Sequence, residues 1–487
     1  MTMTLADLVP LLPLLIVSST AVLLMLQIGI RRSHKVTVVI ALSGLLLATV
    51  VAVLMMPTMN QQLTPLLIID QYSLFFTAVC CAAAMVIVIL SYPYLSRLDD
   101  DKDEYYLLLV IATVGAIVMV SSNHFVSTIL GLETLSMSLY GMVAYPLHSK
   151  ESAKYPLEAA VKYLVLSAVS SSFMLFGMAL IYAQTGTLAF SSLDSDAAVS
   201  LSDSYAIVGV LLLISGMAFK LSLAPFHMWT PDVYEGSPLP ATAYLATIGK
   251  TAMFVVLLRF VIVTEALRYE AVMIVFSLIA VLSILAGNVL ALLQNSLKRI
   301  LAYSSIAHMG YLIIAVIASY FATSTISIEA VTFYLLAYMI MSLGAFGVAS
   351  VVSSSEKEFD LVSDYQGLFW RDPWLALIFT GMLLSLAGIP LTIGFIGKFY
   401  LFFAGVESAL WVLLLVLVVG SGIGLFYYLR IVYHLLLPAP TRPQFSSAAN
   451  ENLGAYGVLT ILFLLLLLLG VYPARLMTLI ETVAAFI

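Results

Sequence analysis

Lys162, Lys220, Lys250 and Lys398 each lie within a long apolar run, and among 26 acidic residues only Glu133 reads as equally deep. An ionised side chain at the centre of a hydrocarbon layer costs about 2.5–3.5 kcal/mol on insertion scales, so these five residues need a compensating use. Desolvation weakens a lysine's hold on its proton and a nearby carboxylate strengthens it, so moving the partner loads or empties the amine. The chemistry these residue types suggest is proton transfer inside a membrane. Static alternatives are open for two of them. Lys162, about seven residues into its run, could snorkel to the headgroups on its four-carbon stem, and Glu133 could form a fixed ion pair. Lys250 lies about nine residues in, roughly 13 Å at ~1.5 Å per residue, which is too deep for easy escape.

Imidazole titrates near neutral pH, so His227 and His308 are candidates to bridge lysines through water. His308 falls about eight residues into its helix in LKRILAYSSIAHMGY. His227 stands two residues from Trp229, where an interfacial anchor is an equal reading. Tyr303 is a further candidate relay hydroxyl, and Ser304 and Ser305 beside it suit packing or water-holding rather than nucleophilic attack, with no triad-like partner in view. GSGIG at Gly420 to Gly424 imitates a phosphate loop, but it sits inside an apolar run with no strand before it, so close helix packing is expected. Cys80 and Cys81 are adjacent within an apolar run and read as packing residues. With no CxxC, Walker or dinucleotide pattern, the chain is expected to bind no cofactor or metal and to take its energy from an ion gradient or a partner. The net charge of -6 is spread over loops and gives no argument for nucleic acid.

These residues must be held by membrane helices. Hydrophobic residues make up 62% of the chain and charged ones 9%, against about 45–50% and about 25% in soluble domains. The segment Met1 to Gln27 carries Asp7 and no basic residue before its apolar stretch, so it reads as a first transmembrane helix and not a cleaved signal. Apolar runs of about 20 residues, enough to cross roughly 30 Å of hydrocarbon, give an all-α integral membrane fold of fourteen helices. Their expected spans are 8–30, 36–56, 67–95, 105–121, 124–146, 155–184, 205–229, 241–264, 271–294, 300–320, 329–352, 373–403, 407–436 and 453–471. Cytoplasmic loops are enriched in lysine and arginine. This threading puts Arg31, Arg32, Lys35, Arg97, Lys102, Lys150, Lys154, Lys298, Arg299, Lys357, Arg371, Arg430 and Arg442 on one side, and Arg268 and Arg475, with Arg259 near them, on the other. Both termini are therefore expected outside. After an N-terminal unit, 1–104, two five-helix blocks, 105–264 and 271–436, precede the C-terminal helix and tail, 453–487. Each block has its fourth helix, the seventh and twelfth of the chain, broken at Pro225 or Pro390. An odd number of helices inverts a repeat, and paired broken helices suit a transporter, although two ordinary proline kinks would leave the same signature.

GLETLSMS around Glu133, FKLSLAPFHMWTPDVYEGSP from Phe219, KRILAYSSIAHMGY from Lys298 and SLAGIPLTIGFIGKFY from Ser385 together resemble the antiporter-like, Mrp-related membrane subunits of respiratory complex I. The resemblance covers nearly the whole chain. It implies a proton-translocating subunit of NADH:quinone oxidoreductase, with Glu133 and Lys220 as a first-half pair tuned by Lys162, Lys250 as central carrier and Lys398 as outer gate. His227 matches the family's histidine after the first break. The chain lacks the lateral helix of subunit L and has Lys398 where subunit M carries a glutamate, so the resemblance is to the member nearest the small subunits. NADH, FMN, iron–sulfur clusters and quinone are then expected elsewhere in the parent complex, with subunit M, small subunits such as K and J, and lipid as neighbours in a bacterial inner membrane. A Mrp-type cation/proton antiporter subunit is the alternative; deep aspartates would favour it and none is evident in the sequence.

Overall fold

Apolar segments in hydrocarbon can satisfy their own backbone only by coiling into helices or closing into barrels, and this chain coils. The computed structural model describes residues 5–59, 61–62, 64–96, 102–145, 154–193, 204–321, 325–353, 358–438 and 453–487. The helices are α1 (Leu12–Ile30), α2 (His34–Met55), α3 (Gln71–Ser96), α4 (Asp103–Val120), α5 (Phe125–Ala144), α6 (Lys154–Thr185), α7 (Ser204–Lys220), α8 (Trp229–Gly236), α9 (Leu239–Tyr244), α10 (Lys250–Val263), α11 (Glu270–Leu292) and α12 (Leu297–Phe321). They continue with α13 (Ile326–Val352), α14 (Leu368–Arg371), α15 (Pro373–Ala387), α16 (Ile393–Glu407), α17 (Trp411–Leu436), α18 (Leu453–Val471) and α19 (Ala474–Ala484). Among the described residues twelve helical segments are long and apolar enough to span, and two shorter apolar ones, Tyr205–Lys220 and Pro373–Ala387, end where breaks were expected.

Two details differ from the sequence reading. Residues 67–70 are not helical: Ile68 and Ile69 pair with Gln61 and Gln62 in a two-stranded ribbon. The helix starts at Gln71 because Asp70 and Ser73 cap it reciprocally, the Ser73 N–H donating to Asp70 Oδ1 at 2.6 Å and the Asp70 N–H to Ser73 Oγ at 3.0 Å. The tail beyond 471 is also helical, since Met477, Ile480 and Val483 of α19 form a buried stripe at helical spacing. Four residues used for orientation, Arg97, Lys150, Lys357 and Arg442, lie outside the described residues.

The span of α12 is 100% buried and that of α13 94%, against 28% for the first span. These enclosed helices are no more apolar than the peripheral ones, because lipid is as apolar as leucine and nothing drives the greasiest helix inward. Close approach is bought with small residues: a Cβ on Gly115 of α4 would lie 2.6 Å from the carbonyl oxygen of Gly131 on α5.

Candidate functional site: a buried chain of amines and hydroxyls

The first half of the site is built on α5, α6 and α7. Lys220 is the last residue of α7, 8% exposed, and its Nζ donates to Ser136 Oγ on α5 at 3.0 Å and to Ser167 Oγ on α6 at 2.5 Å. Glu133, half-buried on α5, accepts from Ser171 Oγ at 2.5 Å. No direct ion pair joins Glu133 to Lys220. Ser167 and Ser171 stand one helical turn apart on α6, so that one accepts from Lys220 and the other donates to Glu133. SAVSSS at Ser167 to Ser172 carried that signal, with hydroxyls at i and i+4 on one face.

Lys162 does not belong to this interior. Its side chain is 44% exposed and pairs with Glu158 at 2.9 Å and Asp232 at 3.3 Å. The long stem carries the ammonium out to these carboxylates.

The chain breaks directly after Lys220, earlier than Pro225, with Ser222 at φ 62° and helix resuming at Trp229. Trp229 Nε1 closes over the gap by donating to the Phe219 carbonyl at 2.9 Å, its ring stacked between Tyr163 and Phe219. At 3% exposure Trp229 is no interfacial anchor. His227 beside it is also buried, and neither ring nitrogen has a hydrogen-bond partner among the described residues. A cavity of about 20 Å³, lined by Ser136, Tyr163, Lys220, Trp229 and Gly249 among others, separates Lys220 from the next helix. That is room for one water molecule.

Between α9 and Lys250 runs a π-helical turn, Leu245–Gly249, a geometry frequent at functional sites. Lys250 is 1% exposed; its Nζ donates to Ser305 Oγ on α12 at 2.6 Å and lies 5.7 Å from the Tyr234 ring centroid. Ser305 Oγ in turn accepts from Tyr338 Oη on α13 at 2.6 Å. One turn on, His308 meets Tyr334 Oη at 2.6 Å through Nδ1 and Tyr428 Oη at 3.2 Å through Nε2. Tyr428 also bonds Ser304. Tyr303 is buried too, but the hydroxyls brought to the imidazole are those of Tyr334 and Tyr428, from helices the sequence could not place beside it.

The second break separates α15 from α16. Gly388, at φ 89°, ends α15, and Gly394 accepts no substitute because an added Cβ would meet the Ser385 carbonyl oxygen at 1.9 Å. Lys398 on α16 is half-buried with its ammonium turned inward, donating to the carbonyls of Leu386 at 3.1 Å and Ala387 at 2.8 Å and to Ser421 Oγ at 2.9 Å. The carbonyl end of a helix left open by the break is the negative end of its dipole and holds a cation well.

Two buried ion pairs escaped the sequence reading. Asp70, inside the third expected helix and given no role there, is fully buried against Arg259 at 2.8 Å. Lys298, assigned to a loop, is buried against Glu358 and donates to the Ser237 carbonyl at 2.9 Å, while Glu358 also accepts from Tyr94 Oη at 2.5 Å and the Leu239 N–H at 3.2 Å. Beside them Asp360 accepts from Ser296 Oγ at 2.6 Å. Burial pushes the Asp360 carboxyl above its ordinary range, with Ser296 and Lys298 pulling the other way. Among the described residues no group of three or more His, Cys, Asp or Glu could hold a metal ion.

The NADH:quinone oxidoreductase/Mrp antiporter transmembrane family matches residues 122–424. The chain is 45% identical over 473 residues, 97% of its length and 94% of the relative's, to NADH-quinone oxidoreductase subunit N of Methylococcus capsulatus. The chain belongs to the NADH:quinone oxidoreductase/Mrp antiporter family. Its fold superposes on a chain of respiratory complex I from Thermus thermophilus, solved with bound aureothin, at TM-score 0.81 with 32% identity, covering 96% of this chain and 98% of that one. A chain of the Mrp complex from a Dietzia species shares the fold at TM-score 0.86 and 20% identity, covering 99% and 97%. The family's matched region runs from just before α5 to the GSGIG segment of α17, so it takes in Lys220, Lys250, His308, Lys398 and both breaks.

Proposed function

We propose that this chain is a proton-translocating membrane subunit of NADH:quinone oxidoreductase, in which electron transfer from NADH to quinone elsewhere in the complex drives protons along Lys220, Lys250, His308 and Lys398. The observation that carries this reading is Lys250, fully enclosed yet hydrogen-bonded, among the described residues, to one neutral hydroxyl, that of Ser305. An ammonium with no adjacent counter-charge gives up its proton when the local field changes. Glu133 supplies the carboxylate at one end of this axis, and Lys398 the gate at the other. Identity of 45% to a subunit N supports complex I over a Mrp antiporter. The fully buried aspartate Asp70 is paired with Arg259 and so is not a free sodium ligand.

The same reading places fourteen spans in a bacterial inner membrane, with α7/α8 and α15/α16 each counted as one broken helix, two inverted repeats and both termini periplasmic. FMN, iron–sulfur clusters and quinone belong to other subunits of the complex, and subunits M, K and J are the expected neighbours. The test is Lys250→Ala in the intact complex. NADH-driven proton uptake by inverted membrane vesicles is expected to fall by about a hundredfold, the scale of losing one positioned proton-transfer group. Full-rate pumping by an assembled variant would overturn the proposal.

A further inference from the structure

Beside His308 and Lys398, behind the Tyr311 and Tyr427 rings, lies a buried amide that the relay does not use. Asn288 on α11 is 1% exposed; its Nδ2 donates to Tyr311 Oη at 2.9 Å and to the Ile284 carbonyl at 2.8 Å, and its Oδ1 accepts from Tyr427 Oη at 3.2 Å. The amide's orientation is not arbitrary. A carbonyl can only accept, so the nitrogen must face Ile284 and the oxygen must face Tyr427. Both tyrosines reach toward the relay. The Tyr311 ring lies 5.4 Å from Lys398 Nζ and 5.7 Å from the His308 ring, while the Tyr427 ring lies 4.4 Å from that of Tyr428, which bonds His308.

Room for this cluster comes from GSGIG. A Cβ on Gly420 would stand 2.4 Å from Ile284 Cγ2, 3.0 Å from Asn288 Nδ2 and 3.2 Å from Tyr311 Oη, and one on Gly424 would stand 3.2 Å from Asn288 Oδ1 and 3.5 Å from Tyr427 Oη. Ser421, between them, is the hydroxyl that accepts from Lys398. The segment is thus shaped around polar atoms and not merely around a neighbouring helix.

We propose that Asn288 is a positioning residue for proton passage between His308 and Lys398, fixing the Tyr311 ring against the Lys398 ammonium and the Tyr427 ring against the hydroxyl partner of His308. An amide has no second protonation state within reach, so Asn288 carries no proton itself. It sets the geometry at both ends of the step, and a buried polar network held this way is strong only while every member is satisfied. Asn288 has this role only if the relay operates as proposed.

The experiment compares Asn288→Leu and Asn288→Ser in the intact complex, with Lys250→Ala as reference. Asn288→Leu, close in volume but without hydrogen bonds, is expected to lower NADH-driven proton uptake about tenfold at normal assembly and to shift the pH profile of turnover. Asn288→Ser, which restores a small donor and acceptor, is expected to recover uptake to within about twofold of the parent. Where the leucine variant does not assemble, Gly424→Ala decides, because the atoms nearest its methyl group are Asn288 Oδ1 and the Tyr427 phenol; the same profile shift is expected. Parental pumping in an assembled Asn288→Leu or Gly424→Ala variant, or equal losses in Leu and Ser with an unmoved pH profile, overturns the assignment. If Lys250→Ala abolishes pumping while Asn288→Leu spares it, only the role of Asn288 is lost; if Lys250→Ala also pumps normally, the relay itself is refuted.

Discussion

Lys162 shares its residue type with Lys220, Lys250 and Lys398 but not their setting. Its two partners are carboxylates at the surface, and exposed ion pairs are worth about 0.2–1 kcal/mol. Lys162→Ala is therefore expected to leave proton uptake within about threefold of the parent, measured alongside Lys250→Ala in the same vesicles. A loss as large as that of Lys250→Ala would mean that the surface cluster with Asp232 is part of the conducting path. Sequence made the three interior lysines legible because a cation in an apolar run stands out whatever surrounds it. It could not rank Lys162 with certainty, since a stem of four carbons reaches either way. The hydroxyls of Tyr334, Tyr338 and Tyr428 were invisible for a different reason: tyrosine is ordinary in membrane helices, and only the fold brings these three onto one imidazole and one serine.

At the scale of elements, prolines announced both interruptions, yet the backbone gives way at Ser222 and Gly388, before Pro225 and Pro390. A proline tells where a donor is missing, not where the preceding helix chooses to end. The π-helical turn before Lys250 had no such marker, and nothing in LATIG distinguishes it from a regular helical turn. Asp70 illustrates how a helix start can hide a charge: it caps α3 and at the same time meets Arg259 of α10. Removing one member of a buried pair strands the other, at about 3–5 kcal/mol. Arg259→Leu should accordingly lower the unfolding temperature of the detergent-solubilised complex or abolish its assembly. The double variant Asp70→Asn with Arg259→Leu should recover part of that loss. Equal losses in the single and double variants would show that the pair's charge is not what matters.

Across the whole molecule, the two halves meet at polar seams as well as at apolar ones. Ser283 Oγ of α11 accepts from the N–H of Ala224 in the first break at 2.8 Å, and Glu358 gathers Lys298, Tyr94 and the N–H of Leu239. Asp360 belongs to the same seam through Ser296, and burial raises its affinity for a proton. An acid whose folded affinity for protons exceeds its unfolded one stabilises the fold below the unfolded value and withdraws that stability as pH rises through the folded value. Asp360→Asn should hence unfold at a higher temperature than the parent at neutral pH, and the difference should vanish in acid. An advantage independent of pH would assign the effect to something other than ionisation. The all-helical membrane class was readable from hydropathy, whereas the enclosure of α12 and α13 was not, because interior and lipid are equally apolar. Among the described residues Lys220, Lys250 and Lys398 hydrogen-bond only to uncharged oxygens, and like charges repel more strongly where permittivity is low. Under the proposed relay a proton arriving at one station therefore loosens its neighbour's, and a signal crosses the bundle as a shift register does, with each station copying the one before it.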